Sequence, residues 1–225
     1  MSLARQQQEL PQFEQRRRAL LGEVQQAQKE RAEANARRIA LEQVQKRVGG
    51  DGKLADWLRR HGLDNGAPLW KSMHVEAGWE DAVEAVLRER LGALRADHLE
   101  LAAPAWSRDR PGSKLTLLLP VDGAQAHYPD DRLLSRIRCD DAQYVAILGD
   151  WLAQVYTAPD LASALARRDD LAASACIVTP GGDVVTRQSL TLFAPDAGEH
   201  GLLERQREID ALAAAIEQHD ERVDE

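Results

Sequence analysis

The residue types that most often carry enzyme chemistry are present in this sequence, but their spacing matches no catalytic pattern. The segment Pro111-Gly112-Ser113-Lys114 shares three letters with a phosphate-binding loop. It lacks the upstream glycine of such a loop, and a turn before a strand explains it. No G-x-S-x-G sequence occurs, so a hydrolase nucleophile is not indicated. The six histidines never recur at i, i+3 or i, i+4, which leaves no metal-binding pair on a helix.

Acidic pairs and cysteines have structural explanations. Two cysteines, Cys139 and Cys176, provide neither a disulfide framework nor a metal-ligand spacing, and reduced thiols in a cytosolic protein account for them. Adjacent aspartates fall where turns or helix starts are predicted, so helix capping is their default role: Asp130-Asp131, Asp140-Asp141 and Asp169-Asp170. We therefore predict no catalytic residue, cofactor site or metal site in this chain.

Tryptophans offer a second route to ligand binding, because aromatic rings can stack on bases. Trp57, Trp79 and Trp151 lie on apolar faces of predicted helices, which favours core packing. Trp70 and Trp106 flank loop-like segments, and their role stays open at this level.

Basic residues are the feature of the sequence that best suits a ligand. Five of them cluster where a long N-terminal helix meets a globular region, and we predict weak, salt-dependent DNA binding there: Lys46, Arg47, Lys53, Arg59 and Arg60. A different interpretation stays open. The cations of residues 1–48 could occupy e and g positions of a coiled coil and face an acidic partner helix.

The charge is distributed unevenly along the chain. The total is −8, but residues 1–48 carry ten Lys and Arg against six Asp and Glu, whereas residues 201–225 carry three against eight. Opposite charges at the two ends favour their pairing. No apolar run approaches the ~18 residues that a bilayer requires, and we expect neither secretion nor membrane insertion.

Both ends of the chain have the composition of long helices. Residues 201–225 repeat apolar side chains every seven positions, whereas the seam of residues 1–48 is weaker, and Pro11 should kink or end its regular part. Twenty-five helical residues span about 37 Å, so an antiparallel return covers only about residues 24–48. Residues 1–23 then have no partner within the chain and should fray. Both ends of the sequence fall inside helical pattern, as we expect of a segment from a longer chain.

Between these arms the pattern changes to short elements of an α+β unit. Glycines after Val48 and the segment 194–198 mark its limits. Gly62 should end the first helix, and Pro180-Gly181-Gly182 should turn a hairpin. Helices are predicted at 54–63, 131–138, 142–152 and 161–168, and strands at 72–76, 114–119, 154–157, 175–179 and 183–186. We expect two halves dividing near residues 122–130.

Residues 69–94 are the stretch around which this unit is organised. Met73 and Val75 alternate with polar residues as in a short strand, and Ala77-Gly78 ends it. A helix from about Trp79 should end at Gly92. Its predicted inward positions are Trp79, Ala82, Val83, Val86, Leu87, Arg90 and Leu91, and its predicted outward positions are Asp81, Glu84, Arg88 and Glu89.

The segment W-E-D-A-V-E-A-V-L, after a strand and a glycine, resembles the start of the hinge domain of SMC (structural maintenance of chromosomes) proteins. The segments L-L-S-R-I, A-I-L-G-D-W-L-A-Q-V-Y and C-I-V-T-P-G-G-D-V-V-T are similar to the second half of that domain. The order arm, globule, arm is also that of the family. One departure concerns residues 187–193, which read R-Q-S-L-T-L-F where many members have glycines that help two hinges meet.

The resemblance to bacterial SMC proteins implies an α+β hinge of two α/β subdomains at residues 49–200, flanked by an antiparallel coiled coil of residues 1–48 and 201–225. It implies homodimerisation through the hinge and no enzymatic activity in this segment. ATP and Mg²⁺ would bind at head domains outside it, and accessory chromosome-organising subunits would bind the full-length protein. Chromosome condensation and segregation at the nucleoid, in the cytoplasm, would be the role of the whole. The alternatives are a coiled-coil adaptor with a protein-binding α/β domain and, third, an enzyme whose site these patterns do not reveal.

Overall fold

The polypeptide divides into two units, described from a computed structural model that covers residues 3–49, 52–64, 66–96, 99–119, 129–194 and 201–224. One unit is Met1–Gln45 with Arg205–Glu225, and the other is Lys46–Glu204. The predicted divisions after residues 48 and 200 lie a few residues from these limits.

The first unit is built from two long helices, α1 (Leu3–Gly49) and the part of α7 (Leu202–Asp224) that lies beyond Glu204. Helix α1 continues through Pro11, so this proline does not end the helix, and the predicted alternative, a kink, stays a prediction. The missing N–H of one proline removes a single backbone hydrogen bond, and the bonds on either side of it can carry the helix onward.

Polar contacts show that α1 and α7 run antiparallel, as predicted from their charges. Residue numbers rise along one helix as they fall along the other: Arg31 lies 2.6 Å from Asp220, Arg37 pairs with Glu208, Gln45 donates to Gln206 at 2.9 Å, and His219 lies 3.7 Å from Glu30. Because the side chains of Arg31 and Arg37 are largely exposed, each of their two ion pairs contributes no more than about 1 kcal/mol. These contacts determine the register of the two helices more than they stabilise the helix pair.

The second unit contains the same succession of elements twice. Each half begins with a 3₁₀ turn, continues into a short strand and follows it with a helix: Leu69–Ser72, β1 (Met73–Val75) and α3 (Glu80–Leu87), then Leu133–Arg136, β4 (Ile137–Cys139) and α5 (Ala142–Leu152). Strands β1 and β4 pair antiparallel, with His74 opposite Arg138 at the centre. The pairing therefore joins equivalent strands of the two halves about an approximate two-fold axis.

Each half also contains a parallel strand pair connected through a helix, as parallel strands require. In the first half β2 (Leu94–Arg95) and β3 (Leu117–Leu118) are joined through α4 (Leu99–Arg108). In the second, β5 (Val155–Thr157) and β6 (Cys176–Val178) are joined through α6 (Leu161–Ala166). Two more antiparallel strands, β7 (Val184–Thr186) and β8 (Leu190–Thr191), extend only the second sheet.

Glycines at two predicted positions adopt the left-handed conformation. Gly62, with φ of +68°, ends α2 (Gly52–Arg60), and the Leu63 N–H donates to the Leu58 carbonyl at 2.9 Å. This bond and the one from Gly62 to Arg59 satisfy carbonyls that the helix end would leave free. Gly182, with φ of +82°, turns the β6–β7 hairpin.

Several predicted elements are shorter or different in kind. The strand at 114–119 is reduced to β3, and residues 131–138 form a 3₁₀ turn followed by β4 rather than a helix. Gly92 ends a 3₁₀ turn with φ outside the left-handed region, whereas α3 itself ends at Leu87 and is followed by Arg88, with φ of +48°. The sequence did not predict β2, α4 or β8. Most of the predicted division at 122–130 lies outside the described residues.

The main core lies between α3, α5 and the strands beneath them. Its fully buried side chains come from both halves: Leu69, Val83, Leu87, Leu133, Tyr144, Leu148, Leu152 and Val178. The prediction that Glu84 faces outward is wrong. Glu84 is 7% exposed, and its carboxylate is hydrogen-bonded inside the protein.

Candidate dimerisation edges and cationic junction

Strand β8 forms an exposed edge of the four-stranded sheet in the second half. It pairs with β7 on one side, and no other strand of the described residues covers its outer side. Leu190 is 42% exposed and Leu192 is 64% exposed. Exposed leucines beside unpaired backbone groups are typical of a surface that another strand covers.

The conformation of residues 187–193 positions β8 without the glycines of the family pattern. The Thr186 hydroxyl accepts hydrogen bonds from the N–H groups of Gln188 and Ser189, which closes a tight turn. Beyond the strand, the N–H of Phe193 donates to Asp183 Oδ1 at 3.1 Å, and the Phe193 ring covers Gly182. The edge is therefore held at both of its ends by the preceding hairpin.

A shallow groove of about 240 Å³ lies beside β8. Leu165 and Leu190 contribute apolar surface to it, and Arg168 and Arg187 contribute charge. This combination of apolar and cationic surface suits contact with another protein surface better than enclosure of a small molecule.

The first half presents a second exposed edge at β3. In the described residues this strand pairs only with β2, and Leu119 directly after it is 49% exposed. Each half of the unit therefore contributes one short edge with protruding leucine side chains.

The five predicted DNA-binding cations divide into three groups in the structure. Lys46 and Arg47 belong to α1, and their side chains lie outside the described residues. Lys53 is exposed on α2. Arg59 pairs with Asp56 at 3.0 Å, and Arg60 pairs with Asp109 at 3.1 Å. Lys53, Arg59 and Arg60 thus share one exposed helix, but acidic side chains already neutralise two of them.

Most of the tryptophan rings are already covered. Trp57 is buried and donates its indole N–H to the Asp109 carbonyl at 2.8 Å, as its predicted core role requires. Trp79 and Trp151 are half-buried beside the main core, beneath the guanidinium groups of Arg136 and Arg90. Trp70 lies next to the Lys71 ammonium group and Trp106 next to Trp57. These contacts leave little aromatic face available for stacking on bases.

Titratable groups in the second unit serve the structure. Asp141, one of the paired aspartates, caps α5 by accepting the Gln143 N–H at 3.0 Å. Asp160 caps α6, and the backbone hydrogen bond from Ser163 lowers the pKa of its carboxyl group. Burial raises the pKa values of the Cys139 and Cys176 thiols, which makes both poor nucleophiles.

The described residues contain neither a cluster of metal ligands nor a membrane-spanning helix. No three His, Cys, Asp or Glu side chains there come together as metal ligands would. None of the helices there is long and apolar enough to cross a bilayer.

Comparison with known proteins identifies the class of domain that this fold represents. The family model of the SMC proteins' Flexible Hinge Domain matches residues 66–168. The fold is similar to the crystal structure described as an asymmetric dimer of the Geobacillus stearothermophilus SMC hinge domain, with a TM-score of 0.70 at 24% identity over 99% of this chain and 94% of that one. The chain belongs to the SMC hinge-domain family.

Full-length relatives place the domain more narrowly. The chromosome partition protein Smc of Burkholderia pseudomallei is 40% identical over 210 residues, and that of Delftia acidovorans is 38% identical over 212 residues. Each alignment covers 92% of this chain and 18% of the relative. The chain therefore spans less than a fifth of the length of these relatives, and what it matches is a hinge domain rather than an ATPase head.

Proposed function

We propose that this chain is the dimerisation module of a chromosome partition SMC protein, and that two copies join through the β3 and β8 edges. The observation that carries the proposal is the pair of exposed leucine-bearing edges, one in each half. Leu119 lies on the first edge, and Leu190 and Leu192 lie on the second. The description of the Geobacillus stearothermophilus hinge as a dimer supports it.

Burial of these side chains favours association. Complete burial of a fully exposed leucine contributes about 1.5–3 kcal/mol. These leucines are 42–64% exposed, so each contributes about half of that, and a symmetric dimer would bury three from each copy. A stable interface also needs at least about 1,200 Å² in total, so the surrounding strand backbone and the groove beside β8 must take part.

Multi-angle light scattering of the purified chain across concentration tests the proposal. We expect a dimer at tens of micromolar, and monomers for the variants Leu119→Asp and Leu190→Asp. Leu21→Asp is the matched control, because Leu21 is an equally exposed leucine on α1. A monomeric parent chain, or dissociation by Leu21→Asp with no effect of the edge variants, would contradict the proposal.

The names of its relatives support a proposal for the whole protein, since seven relatives are each named chromosome partition protein Smc. By this proposal the hinge joins two long arms whose ATP- and Mg²⁺-binding head domains lie outside the chain. The hinge itself catalyses nothing, and accessory subunits bind elsewhere on the full-length protein. The assembled protein then acts in chromosome condensation and segregation at the nucleoid, in the cytoplasm.

DNA binding at the cationic junction is a second proposal, supported by the exposed positions of Lys53, Arg59 and Arg60 on one helix. Ion pairs this exposed contribute little, so phosphate can compete with Asp56 and Asp109 for the guanidinium groups. Binding should weaken steeply with salt.

The test is fluorescence anisotropy with a labelled duplex at several salt concentrations. We expect reversal of Lys46, Arg47, Arg59 and Arg60 to glutamate to abolish binding in low salt. Reversal of Lys71 and Arg138, two exposed cations outside the junction and the groove, is the control. Unchanged binding by the fourfold variant would exclude the junction.

A further inference from the structure

Helix α7, which begins the returning arm, starts without a capping side chain of its own. Gly201 precedes it, with φ of +71°, and the first helical residues are Leu202 and Leu203. Helix starts are usually stabilised by a Ser, Thr, Asp or Asn whose oxygen accepts one of the free N–H groups. Glycine offers no such oxygen.

The missing acceptor comes from α3 instead. The carboxylate of Glu84 accepts the Leu203 N–H at 2.8 Å through Oε1 and the Gly201 N–H at 3.0 Å through Oε2. A capping box divides these two roles between residues of the same helix start, whereas here one carboxylate fills both from an element more than a hundred residues away. Its negative charge also lies at the positive end of the helix dipole.

Burial makes this contact selective. Glu84 is 7% exposed, and Val83, Leu87 and Leu203 around it belong to the main core. A buried carboxylate is costly unless its oxygens are hydrogen-bonded, so α7 can lose its first turn only if Glu84 loses two of its partners. The buried carboxylate of Glu84 and the first turn of α7 therefore stabilise each other.

We propose that Glu84 is the positioning residue through which α3 fixes the first turn of α7. Glu84 is the second glutamate of W-E-D-A-V-E-A-V-L, the segment that resembles the family, and it supplies from another helix the cap that α7 lacks. This role of Glu84 is confined to the first turn of α7. It does not depend on whether two copies of the chain associate.

Hydrogen–deuterium exchange of the whole chain, followed by mass spectrometry, tests the inference in the variant Glu84→Gln. Glutamine keeps the volume but lacks the charge and has one acceptor oxygen in place of two. We expect the amides of Gly201 and Leu203 to exchange at least about tenfold faster, while amides of α5 keep the parent rate.

Glu80→Gln is the matched control. Glu80 lies one turn earlier on α3, is also 7% exposed, and accepts the Gly78 N–H at 2.7 Å. This variant should leave exchange at the start of α7 unchanged. Parent-like exchange there in Glu84→Gln, or equal acceleration in α5 that reveals general unfolding, would overturn the inference.

Discussion

Gly182 is the position where a single methyl group should disrupt the β8 edge. A Cβ atom added there would lie 2.6 Å from Cγ and 2.9 Å from Cβ of Phe193. These are atoms at the base of the ring, so Phe193 cannot avoid the methyl group by rotating its side chain and must move with its backbone. That backbone is anchored by the hydrogen bond to Asp183.

Two costs add in the variant Gly182→Ala. The φ of +82° costs a residue with a side chain about 1–2 kcal/mol, and forced displacement in a packed site costs about 1–3 kcal/mol. We therefore expect the free energy of unfolding to fall by roughly 2–5 kcal/mol. Because Phe193 lies two residues after the end of β8, we also expect weaker dimerisation.

Urea unfolding followed by tryptophan fluorescence measures this loss selectively, because all five tryptophans lie between residues 57 and 151, in the globular unit. Gly181→Ala is the control. Its added Cβ would contact nothing within 4 Å and its φ lies outside the left-handed region, so stability should stay equal or rise by about 0.4–1 kcal/mol. A difference below about 0.5 kcal/mol between the two variants would refute the reasoning.

Three further predictions concern other parts of the chain. Arg88→Gly should raise the free energy of unfolding by about 1 kcal/mol, because φ of +48° strains a residue with a side chain, and Arg88→Ala should bring no such gain. Iodoacetamide should modify Cys139 and Cys176 more slowly in the native chain than in urea. Because burial raises both thiol pKa values, their contribution to stability should be lost as the pH rises above about 8.5, where unfolded thiols ionise, which urea titrations at pH 7 and pH 9.5 can detect. Cysteines introduced at Val24 and Val223 should form a disulfide within one chain on a non-reducing gel, and crosslinks solely between chains would show that the arms do not pair as a hairpin.

Local sequence patterns predicted the elements whose stabilising contacts are close in sequence. The apolar period between Asp141 and Leu152 gave α5 its observed limits, and the glycines after Pro180 identified the β6–β7 hairpin. The charges and lengths of the two terminal segments predicted which part of α1 lies beside α7. In these cases the decisive interactions lie within a helix, within a turn, or along two helices of simple geometry.

The errors occur where the decisive contact is distant or the pattern fits two structures. Leu133, Leu134 and Ile137 fit a helical period, but pairing with β1 draws the last of them into β4. Glu84 lies among polar positions by periodicity, whereas its partners on α7 are found only in the folded chain.

The candidate site was predicted in composition but not in its contacts. The clustering of Arg59 and Arg60 was visible in the sequence, but the pairing of Arg60 with Asp109, 49 residues away, was not. The β8 edge was also missed, because residues 187–193 lack the glycines that would have marked it. The sequence pattern that could have indicated β8 is the alternation of Leu190 and Leu192 with a polar residue. This pattern is too short to identify a strand by itself.

The unequal ends of the two halves explain how the proposed dimer could close. The β1–β4 pairing relates the halves by an approximate two-fold axis, yet among the described residues only the second half adds strands, β7 and β8, to its parallel pair. Each chain therefore has one β3 edge and one β8 edge, which differ in strand number and in leucine count. If β3 of one copy meets β8 of the other, a two-fold axis repeats the same contact on the opposite side, and both copies are fully paired. Contacts between like edges would leave the remaining edge of each copy open to further association, so the closed pairing favours a finite dimer over a filament.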